Sequence, residues 1–239
     1  LHRDKLMRTV AIVPAAGSGN RMGRELSKQY LSLGGMPILV HTLNVFEKCP
    51  LVDAVLVVVP PPDVEAVRSE TLPRWNLKKL AGVIPGGKER QDSVRAGIEA
   101  LDRDTDIVIV HDAVRPFITA KLIEDCIRAA EEEGAATVGV PVKDTVKEVG
   151  ADGHVVRTCD RNLLWLTQTP QAFRRDIIEN AHRAAVRDGY RGTDDTSLVE
   201  RLGIAVRMIR GDYGNIKITT PEDLVIAEAL LAASRQAKG

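Results

Sequence analysis

Apolar runs and helical patterns alternate along most of this chain. TVAIVP (9–14), AVLVVVP (54–60), AGVIPGG (81–87), DIVIVHD (106–112) and AATVGVP (135–141) read as strands. They are β-branched and continuous rather than alternating, as parallel strands buried on both faces require. Between them, PILVHTLNVFEKC opens with Pro37, a good first helical residue. ERQDSVRAGIEAL sets Val94, Ile98 and Leu101 on one helical face. TAKLIEDCIRAAEEEG runs from a capping Thr119 to a terminating Gly134. Such alternation predicts the α/β class: a mostly parallel open sheet, right-handed crossovers and helices on both faces.

The pattern breaks at 142–158. VKDTVKEVGADGHVVRT alternates polar and apolar residues around Asp152–Gly153, the signature of a β-hairpin. Helix–strand alternation resumes from Phe173, with IAVRMIR (204–210) as a further strand and a last helix after the cap-like TTPEDL (219–224). The expectation is one domain over 7–239 with an inserted hairpin arm at about 142–160. Trp75 and Trp165 are expected in the core.

Composition narrows the class. The chain has 239 residues, 44% hydrophobic, with 33 basic and 33 acidic side chains. Zero net charge excludes a bulk nucleic-acid or membrane-surface binder, though not a local basic pocket. Three widely spaced cysteines, with no C-x-x-C pair, suggest neither disulfides nor a zinc site and fit a reducing cytoplasm. No apolar run has the length of a membrane span. The leading LHRDKL before Met7 lacks the apolar core of a signal peptide and is set aside as an addition or an alternative start.

Ligands of open α/β sheets sit outside the carboxyl ends of the strands. The first apolar run leads into VPAAGSGNRMG. It fits neither common phosphate-loop template: counting G-x-G-x-x-G from Gly17, the sixth place is Met22, and no Gly-Lys-Ser/Thr follows. It carries Arg21 instead, with Lys28 just beyond. The third run leads to Gly86, Gly87, Lys88, Arg90 and Ser93; the fourth to His111, Asp112 and Arg115; the strand ending near Arg210 to Lys217. Each feature alone has a plain explanation. Glycines make turns, lone cations are solvated, Asp112 could cap a helix and His111 could simply pack. Their recurrence at strand end after strand end is what a polyphosphate site needs: close backbone N–H groups and fixed cations.

PAAGSGNRMG, SKQYL, GGKERQDSV, HDAVRP, PVKDTVK, RNLLWLTQTPQAF, TDDTSLVE and NIKITTPEDL, in this order, resemble the motifs of the 2-C-methyl-D-erythritol 4-phosphate cytidylyltransferase family from about Thr9 to Leu224. The resemblance implies a nucleotide-diphospho-sugar transferase-like fold. It implies CTP held by Pro14, Ala15, Ala16, Gly17, Ser18, Gly19, Gly86, Arg90, Ser93, Asp112 and Ala113. It further implies Arg21 and Lys28 on the triphosphate, and Asp112, Arg115, Thr145, Arg161 and Lys217 on the polyol phosphate, with Arg21, Lys28, Arg161 and Lys217 in catalytic roles. A Mg²⁺ carried mainly by substrate phosphates, without a dedicated protein metal site, and a homodimer joined through the arm are also implied. A relative acting on ribitol 5-phosphate shares many of these motifs, and a nucleotide-sensing protein on the same scaffold is the non-enzymatic alternative. The implied chemistry needs no nucleophilic side chain, because the attacking phosphate oxygen is already anionic. The protein must supply positioning and charge stabilisation, and in this reading Arg21 adds a fixed cation to a loop of neutral donors.

Overall fold

The computed structural model describes residues 7–17 and 28–236; Ser18, Gly19 and Arg21 lie outside the described residues, as does the side chain of Lys28. The strands are β1 (Thr9–Pro14), β2 (Ser32–Leu33), β3 (Met36–Pro37), β4 (Ala54–Val59), β5 (Leu80–Pro85), β6 (Ile107–Val110), β7 (Ala135–Pro141), β8 (Lys147–Val149), β9 (Val155–Thr158), β10 (Trp165–Arg174) and β11 (Arg207–Arg210). The helices are α1 (Ile38–Lys48), the single turn α2 (Val64–Ala66), α3 (Arg90–Glu99), α4 (Ala120–Glu133), α5 (Arg175–Arg187), α6 (Asp195–Glu200) and α7 (Pro221–Gln236).

Seven strands form one sheet in the order β11-β7-β10-β6-β1-β4-β5. Only β10 runs antiparallel to its neighbours β6 and β7. Alternate residues of each strand feed opposite faces, as the pleat dictates. Ala11 and Val13 of β1 join Leu39, Leu43 and Phe46 of α1 and Ile123 and Ile127 of α4 in one core. Val10 and Ile12 join Val94 and Ile98 of α3 and Ile178 and Ala181 of α5 in the other. Thr119 caps α4 by accepting from the Leu122 N–H, and Gly134 ends it at φ 92°, a conformation glycine adopts without strain. The hairpin is as expected: β8 pairs antiparallel with β9, and Gly153 turns the chain at φ 81°.

Two expectations fail. Strand β10 has no counterpart in the sequence pattern, which places the return to regular structure at Phe173. Pro170, Thr167, Gln168, Thr169 and Gln171 make the segment read as a loop, since proline and polar residues normally leave sheet interiors. Here Gln168 and Gln171 are buried and bonded. The Gln171 amide donates to Thr137 Oγ1 (3.2 Å) and Asp194 Oδ2 (2.7 Å), so their polarity is satisfied inside. Second, Trp165 is not core: it opens β10 with 36% of its surface exposed, whereas Trp75 packs against the core of β1, α1 and α4. A smaller difference is that Pro37 precedes the first helix rather than starting it.

Helix α3 lies tightly on β1. A Cβ at Gly97 would stand 2.5 Å from Ile12 Cγ2, and Ile12 is wholly buried. Gly97→Ala should therefore destabilise the protein by about 1–3 kcal/mol, overpacking outweighing the roughly 1 kcal/mol gain in helix propensity. Urea unfolding at neutral pH measures it; a more stable variant would show that α3 can lift from the sheet at no cost.

Candidate active site

The carboxyl ends of β1, β5, β6 and the loop after β11 meet at one edge of the sheet, around a cavity of about 370 Å³. Pro14, Ala15, Ala16, Gly17, Gln29, Lys88, Glu89, Arg90, Ser93, Asp112, Ala113, Val114 and Lys217 line it. Backbone bonds assemble its floor. Ala15 N–H donates to Val58 O (2.7 Å), Gly86 N–H to Val59 O (2.8 Å) and Ala113 N–H to Pro14 O (3.4 Å). A Cβ at Gly86 would lie 2.8 Å from Ala16 Cβ and 2.7 Å from Ser93 Oγ; glycine lets the first two loops touch. Gln29 is buried, and its amide donates to Ala15 O at 2.6 Å, holding the chain where it leaves β1. Ser93 Oγ accepts from Gly87 N–H (3.2 Å).

Asp112 sits at the centre, 7% exposed. Its Oδ1 meets Arg90 Nε at 3.0 Å, and its Oδ2 meets Lys217 Nζ at 2.9 Å and Arg115 Nε at 3.6 Å. Burial alone would raise its pKa; Arg90, Lys217 and Arg115 outweigh that and hold the carboxyl well below the usual range. Arg90 is also bound by Asp195, Nη1 to Oδ2 at 2.7 Å. Burial would weaken its charge, yet Asp195 and Asp112 raise its pKa. The loop carrying Lys217 is pinned by Asn215, whose side chain donates to Gln168 Oε1 (3.1 Å) and Thr169 O (2.9 Å), while Arg115 Nη1 donates to Asn215 O (2.8 Å). No helix follows Asp112 directly, so it is no cap.

The structure thus brings together Pro14, Ala15, Ala16, Gly17, Gly86, Arg90, Ser93, Asp112, Ala113, Arg115 and Lys217. Thr145 and Arg161 stand apart, both exposed at the arm, with Arg161 Nη1 donating to Lys143 O at 2.9 Å. Lys28 opens the one-turn 3₁₀ helix Lys28–Tyr30 beside the cavity. Sequence reasoning assigns no role to Gln29 or Asp195, although both lie in quoted motifs. A polar residue one step from a candidate cation is the available signal for Gln29; Asp195 lies 105 positions from Arg90 and gives none.

His111, read as a packing residue, is buried against Phe46 at 5.2 Å between ring centroids. Its Nε2 lies 3.1 Å from Arg115 O and its Nδ1 3.0 Å from Thr169 Oγ1, which itself accepts from Asp112 N–H (3.1 Å). The carbonyl requires a proton on Nε2, and the threonine hydroxyl then donates to Nδ1, so the neutral ring satisfies every partner. Burial lowers its pKa from 6.5 to about 4. Between those values the unfolded chain binds the proton and the folded one does not. This group's contribution is therefore complete above pH 6.5 and lost toward pH 4, at most ~3 kcal/mol in all. His111→Asn should remove that part of the pH dependence of unfolding; an unchanged difference between pH 7 and 4.5 would assign it to another group.

The family model for 2-C-methyl-D-erythritol 4-phosphate cytidylyltransferase matches residues 9–233. The enzyme of that name from Syntrophus aciditrophicus is 53% identical over 94% of this chain and 96% of its own, and that from Pelotomaculum thermopropionicum 52% identical over 95% of each. Among solved structures, 4-diphosphocytidyl-2C-methyl-D-erythritol synthase from Anaerococcus prevotii superposes with a TM-score of 0.85 at 31% identity, covering 95% of this chain and 96% of its own. The cytidylyltransferase from Thermus thermophilus gives 0.77 at 34% identity, covering 94% and 98%. A family model matched over residues 9–233 and relatives half identical over nearly their whole length place the result beyond the fold alone: this chain belongs to the 2-C-methyl-D-erythritol 4-phosphate cytidylyltransferase family.

Proposed function

We infer that the chain transfers the cytidylyl group of CTP to 2-C-methyl-D-erythritol 4-phosphate, releasing pyrophosphate and forming 4-diphosphocytidyl-2-C-methyl-D-erythritol for isoprenoid synthesis. The observation that carries the reading is the cavity at the sheet edge, where a glycine loop faces Arg90 and Lys217 across Asp112, in a chain of that family. The relatives carry the methylerythritol phosphate name, not a ribitol phosphate one.

In the reaction a phosphate oxygen of the polyol phosphate attacks the α-phosphorus of CTP. The bond to the bridging oxygen of the β-phosphate breaks, and that oxygen leaves with pyrophosphate. No proton need move, because the nucleophile is anionic. Two polyanions must be brought together and the growing charge met. Ala16 and Gly17 offer backbone donors, together with Ser18 and Gly19 beyond the described residues, while Ala15 lines the cavity with its N–H spent on Val58 O; Gly86, Arg90 and Ser93 close the nucleoside end. Arg21 and Lys28 serve the triphosphate. Lys217 and Arg115 take the acceptor phosphate, their positions set by Asp112. Of the carboxylates lining the cavity, Glu89 is free of the Asp112 cluster and Asp112 is taken up by three cations. These residues suit a divalent cation such as Mg²⁺ that is held mainly by phosphate oxygens and water, where it would neutralise charge.

The arm suits a two-fold partner. Val149, Val155, Val156, Leu163 and Leu166 are all more than half exposed, and a lone two-stranded hairpin is marginal in water. Pairing each arm with its mate in a homodimer covers them and carries Thr145 and Arg161 to the other subunit's cavity. A cytoplasmic setting fits the three free thiols, and no described helix is long and apolar enough to cross a membrane.

Pyrophosphate release should require CTP and be fastest with methylerythritol phosphate in a panel of polyol phosphates; faster turnover with ribitol 5-phosphate would reassign the acceptor. Lys217→Ala should raise the acceptor KM and lower kcat on the order of 10²-fold while sparing the KM for CTP. An unchanged acceptor KM would remove Lys217 from that role.

Sharing of the site is tested by mixing. Lys28→Ala and Arg161→Ala proteins, each nearly inactive, should regain about a quarter of wild-type activity when refolded together, since half of randomly paired dimers are mixed and each mixed dimer has one intact site. No recovery would place both residues in one chain's site.

A further inference from the structure

We propose that Asp195 and His182 are positioning residues for the nucleotide: they fix the guanidinium of Arg90 from the side away from Asp112, so that its outer edge is presented to CTP. The inference rests on the reading of the cavity as the CTP site. Arg90 is the first residue of α3 and lines both the nucleotide cavity and the adjoining cleft bounded by Arg115, Gln168, Thr169, Asp194 and Lys217. A guanidinium is a planar fork of five donors. Binding Nε to Asp112 at 3.0 Å leaves it free to pivot; binding Nη1 to Asp195 at 2.7 Å as well fixes the plane. The direction of Nη2 is then set.

Asp195 is itself held on every side. It opens α6, and its side chain is 1% exposed. Its Oδ2 accepts from Arg90 and its Oδ1 from Nε2 of His182 on α5 at 3.0 Å; its N–H donates to Gln171 Oε1 at 3.2 Å. The Gln171 amide in turn reaches Asp194. His182 is 2% exposed, and among the described residues its Nδ1 has no partner. Among those residues, therefore, the imidazole makes a single side-chain hydrogen bond, and that bond is to Asp195. Three helices from one face of the sheet thus meet in a line, His182–Asp195–Arg90, that ends at the ligand cavity. A buried ion pair contributes little net stability compared with apolar packing. A buried carboxylate with an imidazole behind it is instead the arrangement that orients a partner, here a guanidinium.

The experiment compares steady-state parameters of Asp195→Asn, His182→Leu and His182→Gln, each with its thermal midpoint. Asp195→Asn should raise the KM for CTP ~10-fold or more, leaving the acceptor KM within about 2-fold. His182→Leu should raise the KM for CTP several-fold, about 3–10, and His182→Gln should restore most of it, since the glutamine amide can donate to Asp195. In an Arg90→Ala background neither position should have further effect on CTP. A fall in thermal midpoint with unchanged KM for CTP in the His182 variants, or effects that persist without Arg90, would overturn the proposal. A wild-type protein that does not turn over CTP would instead sink the functional reading, so the two failures are separate. Should Asp195→Asn not fold, the His182 pair alone decides.

Discussion

The structure turns on one buried carboxylate. Asp112 has Arg90, Arg115 and Lys217 within 3.6 Å, and those cations arrive on three separate segments: the start of α3, the turn after β6 and the loop after β11. Without Asp112, three positive charges would converge in a partly dry cavity and repel. With it, the start of α3 is drawn to the turn after β6 and the loop after β11, which the bond from Ile218 N–H to Val114 O at 2.9 Å already joins. The gain is placement rather than stability. Desolvating these groups costs several kcal/mol each, and their mutual attraction does little more than offset that cost. The sheet supplies rigidity, and the ion cluster selects one arrangement of its loops.

Several features are legible in the amino-acid sequence alone. Strands β1, β4, β6 and β7 are buried on both faces, and their sequences show it as continuous runs free of charged residues. The arm is announced by the Asp152–Gly153 turn, because a left-handed glycine is a local requirement that leaves a local mark. The cations at the strand ends are legible for the same reason, each sitting where a regular pattern stops. Strand β10 is not legible. Its place in the sheet depends on Gln168 and Gln171 finding partners on Asp212, Thr137 and Asp194, and no window of sequence contains those partners. Asp195 is hidden likewise. It stands in the first turn of α6, and its bond to Arg90 is a product of the fold. Thr145 and Arg161 belong to a third kind: resemblance alone singles them out, and within one chain they lie on an exposed arm.

Strand β10 also explains why the site and the arm are mechanically continuous. It is the one antiparallel member of the sheet, it begins where the arm returns, and it passes between β6 and β7. Along its course Thr169 meets His111 and the Asp112 backbone, Gln168 and the Thr169 carbonyl meet Asn215, and Gln171 meets the Asp194–Asp195 turn. At the arm's base Tyr213 donates to Pro141 O at 2.7 Å, and Lys143 stacks over its ring at 3.4 Å. One strand therefore touches the turn after β6, the loop after β11 and the start of α6. A displacement of the arm has a short, hydrogen-bonded route to Lys217.

The small net charge of this centre follows from the same chemistry. His111 has its ring nitrogens committed and its pKa pushed down to about 4, so it adds no charge to the cavity and takes no part in proton transfer near neutral pH. Asp112 stays ionised. Counting Asp112 and Asp195 against Arg90, Arg115 and Lys217, the cluster carries one net positive charge, far less than a triphosphate and a phosphate monoester bring. Strong attraction between a bare cation nest and any polyanion would hold the substrate as firmly as the transition state, and binding that is equal for both does not speed the chemical step. A cluster largely neutralised from within has to be shared. In the proposed reaction an arriving phosphate would compete with Asp112 for Lys217 and Arg115, and win most where its charge is greatest and its geometry fits the positions Asp112 has set. Asp112 thereby weakens affinity for anions in general and leaves the cations oriented for the one arrangement in which charge accumulates during transfer.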